Sequence, residues 1–533
     1  MRPDHALPPV LVPIAASLLV GASLGESSVA GPAALGLLAA MLAAACARSG
    51  RRTLAALACI AAAGSAGAAL QGAAWLQAER RVARAFGGER TVEAQLTARV
   101  LAAPERGLRG ERRVRATIVA PPRMTGLRVA IEIADVPPDD AGRIDALRRG
   151  DVVAGWCRLK APGRSPGVGE RDARRRLASQ RLDATGRIKS ARLVVLLARG
   201  PATPARAIDR VHAAARASLD RSFGASTRPR AVLGAFLLGD RALVDPETES
   251  VLRDAGLVHL LSISGLHTGM CVLALVFLLR RSRLGPAGVL VAGAGALAAF
   301  CALVGHGAAV WRAAAGAGAT LLARALGREI GGLPALALAA GALVVAVPPL
   351  IWNLGFVLSV AATAGLLAAI ERSRHEALAA SAGAYAASAP VLAGALGRLA
   401  PAGLVSNLLA APLCGACLVT GGAALAFGWI PGVGRALAWC AVASTEALMA
   451  TARAAAAIPG GHLRVATPSR ALVAAYVAFL LAAWLRPGRG SRLGWALCAI
   501  ALHLGVRPIG TGDARVVVLD VGQGLAVILR GPE

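Results

Sequence analysis

The chain has 533 residues, 56% of them hydrophobic and only 3% aromatic, with 58 Lys and Arg against 30 Asp and Glu. Soluble enzymes seldom combine so high an apolar fraction with so few aromatic residues, so the composition excludes one. The net charge of +28 is of the size of a nucleic-acid footprint, but only Lys160 and Lys189 are lysines, and where the charge sits carries more than its sum.

Three apolar stretches open the chain: Pro8 to Leu24, Ala33 to Cys46 and Leu54 to Trp75. Each approaches the ~20 residues that a helix needs to cross about 30 Å of hydrocarbon. The first has the short basic start of a signal peptide, yet two more spans follow at once, which favours an uncleaved three-span membrane segment over 1–76.

The character then changes. Residues 77–256 hold 35 basic and 21 acidic side chains, a net charge of +14, and no run long enough to span. Thr91 to Val100 (TVEAQLTARV), Val114 to Val119 and Leu127 to Ile133 (LRVAIEI) alternate apolar and polar residues between Gly, Pro and Asp. That pattern predicts half-buried antiparallel strands, and a small β domain, a barrel, over 77–200. Over 201–256 the chain reads as a helical connector. There Ala205, Ile208, Val211, Ala215, Leu219 and Phe223 recur at three- and four-residue steps with Arg206, Arg210, Arg216 and Arg221 between them. Such an amphipathic helix suits a membrane surface.

From 257 to 506 the chain is again apolar, and its only acids are Glu329, Glu371, Glu376 and Glu446. Ten further spans fit between 258 and 506, which predicts a mainly α, polytopic membrane protein of about thirteen transmembrane helices with one small extracytoplasmic β domain. Arginine placement orients it, because positive charge is retained on the cytoplasmic side. Arg48, Arg51 and Arg52 follow the second span, and later loops on the same side carry 11 arginines against three (Arg398, Arg464, Arg470) on the other. The expected topology is therefore a multi-pass bacterial plasma (inner) membrane protein with a cytoplasmic amino end and an extracytoplasmic β domain and carboxyl end. Eight of the nine cysteines lie in apolar runs, so no disulfide framework is expected, and the lone Cys414/Cys417 CxxC reads as helix packing before metal or redox use.

The segment GLVHLLSISGLHTGM, Gly256 to Met270, places His259, Ser262, Ser264 and His267 around Gly265 in the outer half of a span. Polar groups there mark either a helix contact or an aqueous path. The two histidines, eight residues apart, point about 80° apart on a helix and do not share the face of an i,i+4 zinc pair. Other polar groups inside spans are Arg312, Asn353, Ser359, Ser406, Asn407 and Arg453. Arg312 lies deep in an apolar run and either lines a path or pairs with Glu446 or backbone carbonyls. Glu446 and Arg453, seven apart, share a helix face, and Ser406 and Asn407 equally suit interhelical hydrogen bonds. In the β domain Trp156 is the aromatic well inside the strand-rich part, and Arg174, Arg175 and Arg176 are further DNA-contact candidates.

The Gly256 to Met270 segment resembles the signature of the ComEC-type DNA-internalisation channels of bacterial competence, usually seen as H-L-L-A-I-S-G-L-H. The likeness extends through LLGDRALVDPETESVLRDAGL (Leu237 to Leu257), VWRAAAGAGATLLARALGR (Val310 to Arg328), LGFVLSVAATAGLL (Leu354 to Leu367) and LGRLAPAGLVSNLLAAPL (Leu396 to Leu413). The β domain is similar to that family's extracytoplasmic OB-type domain. ARVVVLDVGQGLAVILRGPE, Ala514 to Glu533, is similar to the opening of the family's metallo-β-lactamase-like domain. Leu525 departs from the acidic residue that commonly follows GQG, and no histidine follows His503, so 507–533 reads as the truncated start of that domain, with no metal site, no cofactor and no catalytic residues.

The resemblance implies an inner-membrane channel for single-stranded transforming DNA. It also implies an extracytoplasmic DNA receptor and a cytoplasmic ATP-driven translocase as partners, since no GxxxxGK[ST] loop is present. The bilayer is a further partner, and self-association is left open. The alternatives are a membrane-embedded hydrolase using the Ser/His cluster at 259–267 and a small-molecule transporter.

Overall fold

A computed structural model describes residues 52–163, 173–224, 227–241, 243–261, 308–325, 331–371, 373–485, 489–504, 515–520 and 525–530, with isolated positions between 288 and 301. The first two expected spans, and nearly all of the two expected between 258 and 305, lie outside these residues. Helix α1, Arg52–Phe86, has 35 residues, about 52 Å at 1.5 Å per residue. The third expected span is only its first part, and the boundary expected at 76/77 falls inside it. The reason is local: after Trp75 the run LQAERRVARAF is rich in strong helix formers and has no breaker. The charged end docks on the β domain, where Arg81 donates from Nε and Nη2 to Asp183 at 2.8 to 3.2 Å.

The β domain is a closed barrel. Its strands are β1 (Thr91–Val100), β2 (Glu105–Arg106), β3 (Arg112–Ala120), β4 (Arg128–Asp135), β5 (Val152–Lys160), β6 (Ala184–Ser190) and β7 (Val195–Ala198), with helix α2 (Pro138–Asp145) before β5 and α3 (Ala173–Ser179) before β6. The neighbour order β1-β3-β4-β6-β5 closes through pairing of β1 with β5, and β4 with β6 is its one parallel pair. Two-residue β2 pairs with β3, and β7 lines the edge of β5. Alternation fills the interior with Leu96, Ile118, Val129, Ile133, Cys157 and Leu159, all buried. Burial pushes the Cys157 thiol up to about 12, so it is an inert packing group.

The rest is mostly helical. The connector comprises α4 (Pro204–Phe223), α5 (Arg228–Leu238) and α6 (Pro246–Asp254), each started by a side-chain cap from Thr203, Thr227 or Asp245. Then follow α7 (Ala308–Ala325), α8 (Gly332–Ala346), α9 (Leu354–Ile370), α10 (Glu376–Leu396), α11 (Gly403–Phe427), α12 (Val433–Ala456), α13 (Arg470–Leu485) and α14 (Arg489–Leu504). These eight fall within a few residues of the expected spans. Among the described residues, α10 and α11 are the two helices long and apolar enough to cross a membrane. α8 and α9 are shorter apolar helices, as are the stretches Ala471–Ala483 and Arg492–Leu504 within α13 and α14.

The helix expected to lie on a membrane surface, α4, instead packs Leu219 and Phe223 into a core shared with α5, α6, α11 and α12. Cys414 and Cys417, both fully buried, belong to that core. α9 and α10 cross where Gly365 meets Gly383: a Cβ on Gly365 would lie 2.1 Å from the Gly383 carbonyl oxygen. Two short strands, β8 (Arg398–Leu399) and β9 (Leu463–Arg464), join two expected outer loops, and β10 (Arg515–Asp520) pairs antiparallel with β11 (Leu525–Arg530).

Candidate functional site

The expected polar candidates separate into several places. Arg312, on α7, is 7% exposed and donates from Nε to Ser359 Oγ of α9 at 2.7 Å. The Ser359 carbonyl in turn accepts from Thr363 Oγ1 at 2.7 Å. Glu446 is not the partner of Arg312: it lies 3.9 Å from Arg453, both half exposed on α12. Among the described residues no carboxylate pairs with Arg312, so a buried cation is held by one hydroxyl, an arrangement far weaker than an ion pair. Asn353 begins the same α9, its Oδ1 accepting from the Phe356 N–H at 3.1 Å. It is a helix cap.

A second group converges where the signature segment begins. Gly256 has φ +75°, and a Cβ there would lie 2.9 Å from Gly403 Cα, so only glycine lets the turn after α6 meet the start of α11. Across that contact Ser406, 4% exposed, donates to the Ala255 carbonyl at 2.9 Å. Asn407 lies half-buried beside it. His259 follows in a short 3-10 turn, Val258–Leu261, with Nδ1 3.1 Å from the Gly256 carbonyl, the distance of an N–H donating to it. Ser262, Ser264, Gly265 and His267 lie outside the described residues.

On the barrel Trp156 is 55% exposed on β5. Two of the three candidates on α3 are engaged elsewhere. Arg174 donates to Glu79 of α1 at 3.2 Å and to the Pro162 carbonyl at 3.1 Å. Arg175 lies 5.8 Å from the ring centroid of Trp352, itself edge-on to Trp75 at 5.0 Å. Arg176 is exposed.

A network that the sequence reading missed joins barrel and connector. Arg230 of α5 is fully buried and donates from Nε to Asp220 of α4 at 2.7 Å, while Nη1 and Nη2 have no hydrogen-bond partner among the described residues. Asp220 also lies 3.6 Å from Arg106, which with Arg112 grips Asp145. Burial works against ionisation of Asp145, but the Arg112 hydrogen bond and the charges of Arg106 and Arg112 outweigh it and hold the carboxyl below its usual range. Arg216 pairs with buried Asp240 at 3.0 Å. A cavity of about 170 Å³ lies among Arg106, Asp145, Arg148, His212, Arg216 and Asp220. In the sequence the arginines of α4 read as the polar side of an amphipathic helix suited to a membrane surface. The signal in the sequence was that Asp209 and Asp220 stand on the same helix as those arginines.

Residues 236–490 match the Competence protein family. No curated protein and no solved structure matches the chain. The matched segment contains every membrane candidate named above, from His259 to Arg453, and ends short of the β10–β11 hairpin; the barrel lies wholly before it.

Proposed function

We propose, from the premise that residues 236–490 are a competence-protein domain, that the chain is a multi-pass inner-membrane channel admitting single-stranded transforming DNA. The observation that carries the reading is Arg312. A charge inside an apolar helix bundle costs several kcal/mol and is kept where it serves a path or a partner. Here it lies between apolar α7 and α9, steadied by Ser359 Oγ, with no carboxylate among the described residues to cancel it. A phosphate-bearing strand in hydrocarbon needs such fixed positive charge, held without a tight bidentate clamp.

The exported domain fits the same reading. A five-stranded closed barrel with order β1-β3-β4-β6-β5 and one parallel pair has the layout of an OB fold, a frequent carrier of single strands. With no phosphate-binding loop in the sequence, directional pull belongs to a cytoplasmic ATP-driven translocase, and delivery to an extracytoplasmic DNA receptor.

The test is deletion of the gene in a transformable host, scoring intracellular entry apart from surface binding. Entry should vanish while surface binding stays. Complementation with Arg312→Ala should restore membrane abundance yet leave entry at least about tenfold down, and Ser359→Thr, which keeps the hydroxyl, should restore it. Entry that persists in the deletion strain sinks the channel reading.

A further inference from the structure

We propose that single-stranded DNA lies on the outer face of β5 and β6 before entering the membrane, with Trp156 as a stacking platform and Lys160 and Lys189 as phosphate contacts. The inference rests on the uptake reading and names the surface that reading leaves open.

Strand alternation builds this face. Cys157 and Leu159 are fully buried in the barrel, so Trp156, Arg158 and Lys160 point outward at a repeat of about 6.7 Å. On β6 Ile188 is buried while Arg187 and Lys189 are exposed. The antiparallel register sets Arg158 opposite Arg187 and Lys160 opposite Thr185; Trp156 lies two residues before Arg158 on β5, and Lys189 two residues after Arg187 on β6. On the other side of β5, β1 places Gln95 beside Trp156 and Glu93 beside Arg158.

Three observations favour a nucleic-acid strand here. First, a tryptophan more than half exposed is uncommon and offers a flat face that any base can stack on. Beside it Arg158 donates to Glu93 across the strand pair and holds that carboxyl below its usual range. Second, the chain's only two lysines, against 56 arginines, are both exposed on these two strands, Lys160 four residues along β5 from Trp156 and Lys189 two residues beyond Arg187 on β6. Lysine offers a point charge on a flexible stem, without the fork by which arginine grips phosphate, and so suits a strand that must slide onward. Third, among the described residues the cations outnumber the acids: Arg158, Lys160, Arg187 and Lys189 stand with Glu93 and Glu132. The Arg187–Glu132 pair spans 4.0 Å between exposed side chains, too loose to withdraw the charge.

The test uses the full chain in nanodiscs of zwitterionic lipid, with fluorescein-labelled oligothymidylate titrated by anisotropy across a salt series. Trp156→Ala should weaken binding by roughly tenfold with the salt slope unchanged, and Trp156→Phe, which keeps a stacking ring, should recover most of it. Lys160→Gln with Lys189→Gln should flatten the slope of log K against log salt by about 1.4, two single-strand phosphate contacts. Wild-type affinity and slope in both variants overturn the proposal. So does an effect confined to binding of anionic vesicles, which would make the face a lipid contact. If the patch variants bind normally while Arg312→Ala still blocks entry, this surface is wrong and the uptake reading stands. If deletion of the gene leaves entry intact, the uptake reading itself has failed.

Discussion

Arg175 of the barrel's α3 lies 5.8 Å from the Trp352 ring, one residue before the Asn353 cap of α9. The barrel therefore rests on the turn that leads into the helix whose Ser359 steadies Arg312. Trp75 of α1 closes the other side of the same ring, so three separate stretches of chain meet at one indole.

Removing that indole should loosen the joint without unfolding either domain. A cation–π contact and an aromatic pair together contribute about 1 to 2 kcal/mol. Trp352→Ala should therefore lower hydrogen-exchange protection of the α3 amides by about tenfold. Protection in β1 and β5 should stay as it is, because their core lies inside the barrel.

Asp220 and Arg230 should respond unequally to substitution. Arg230 is fully buried, with Asp220 as its one carboxylate among the described residues. Asp220→Asn strands that charge, and breaking a buried pair from one side costs about 3 to 5 kcal/mol. Adding Arg230→Met to Asp220→Asn should recover much of the loss in thermal unfolding of the detergent-purified protein. A double variant no more stable than the single one would remove the pair from the account.

Gly365→Val should separate α9 from α10. Its first carbon would lie 2.1 Å from the Gly383 carbonyl oxygen, which neither helix backbone can accommodate in place. Overpacking of this kind costs about 1 to 3 kcal/mol, read as reduced membrane abundance. A loss of abundance shared with Gly383→Val, with no further loss in the double variant, would locate the damage at this crossing.

Acidification should loosen the contact of barrel and connector in two stages. Burial lowers the His212 imidazole below its ordinary 6.5, against the smaller opposing pull of the Leu238 carbonyl, with Arg216, Asp240 and Asp209 nearby. Because the unfolded chain takes up the proton first, this stability is full above 6.5 and is lost as pH falls toward the group's own lower value. Asp145 adds a second loss below the ordinary 3.8. Unfolding followed from pH 8 to 5 should show the first stage in the native chain and lose it in His212→Gln.

Much of this architecture was legible. The strand read from Thr91 to Val100 has those bounds, because a half-buried barrel strand repeats every two residues. The span expected at 402–428 is a helix over 403–427, since a long apolar run in this length range has little other choice. The partner of Arg312 was not legible. Glu446 was the nearest acid by chemistry, but it sits seven residues from Arg453 on one helix face, and the two meet there. Arg174 and Arg175 read as surface cations for the same reason: nothing near them in sequence announces Glu79 or Trp352.

The amino-acid sequence by itself determined the elements and their apolar faces, the division into a charged β domain and apolar helices, and the family resemblance of the segment around His259. Those properties are written in periodicities of two and 3.6 residues and in runs of about 20, all of them local. Only the tertiary structure decided that β1 closes the barrel against both β3 and β5, that Ser359 holds Arg312, and that Trp156 stands exposed on the same strand pair as the two lysines. Such partners lie tens of residues apart in the chain, and a charge or hydroxyl binds whatever the fold brings within about 3 Å, a distance that no local pattern encodes.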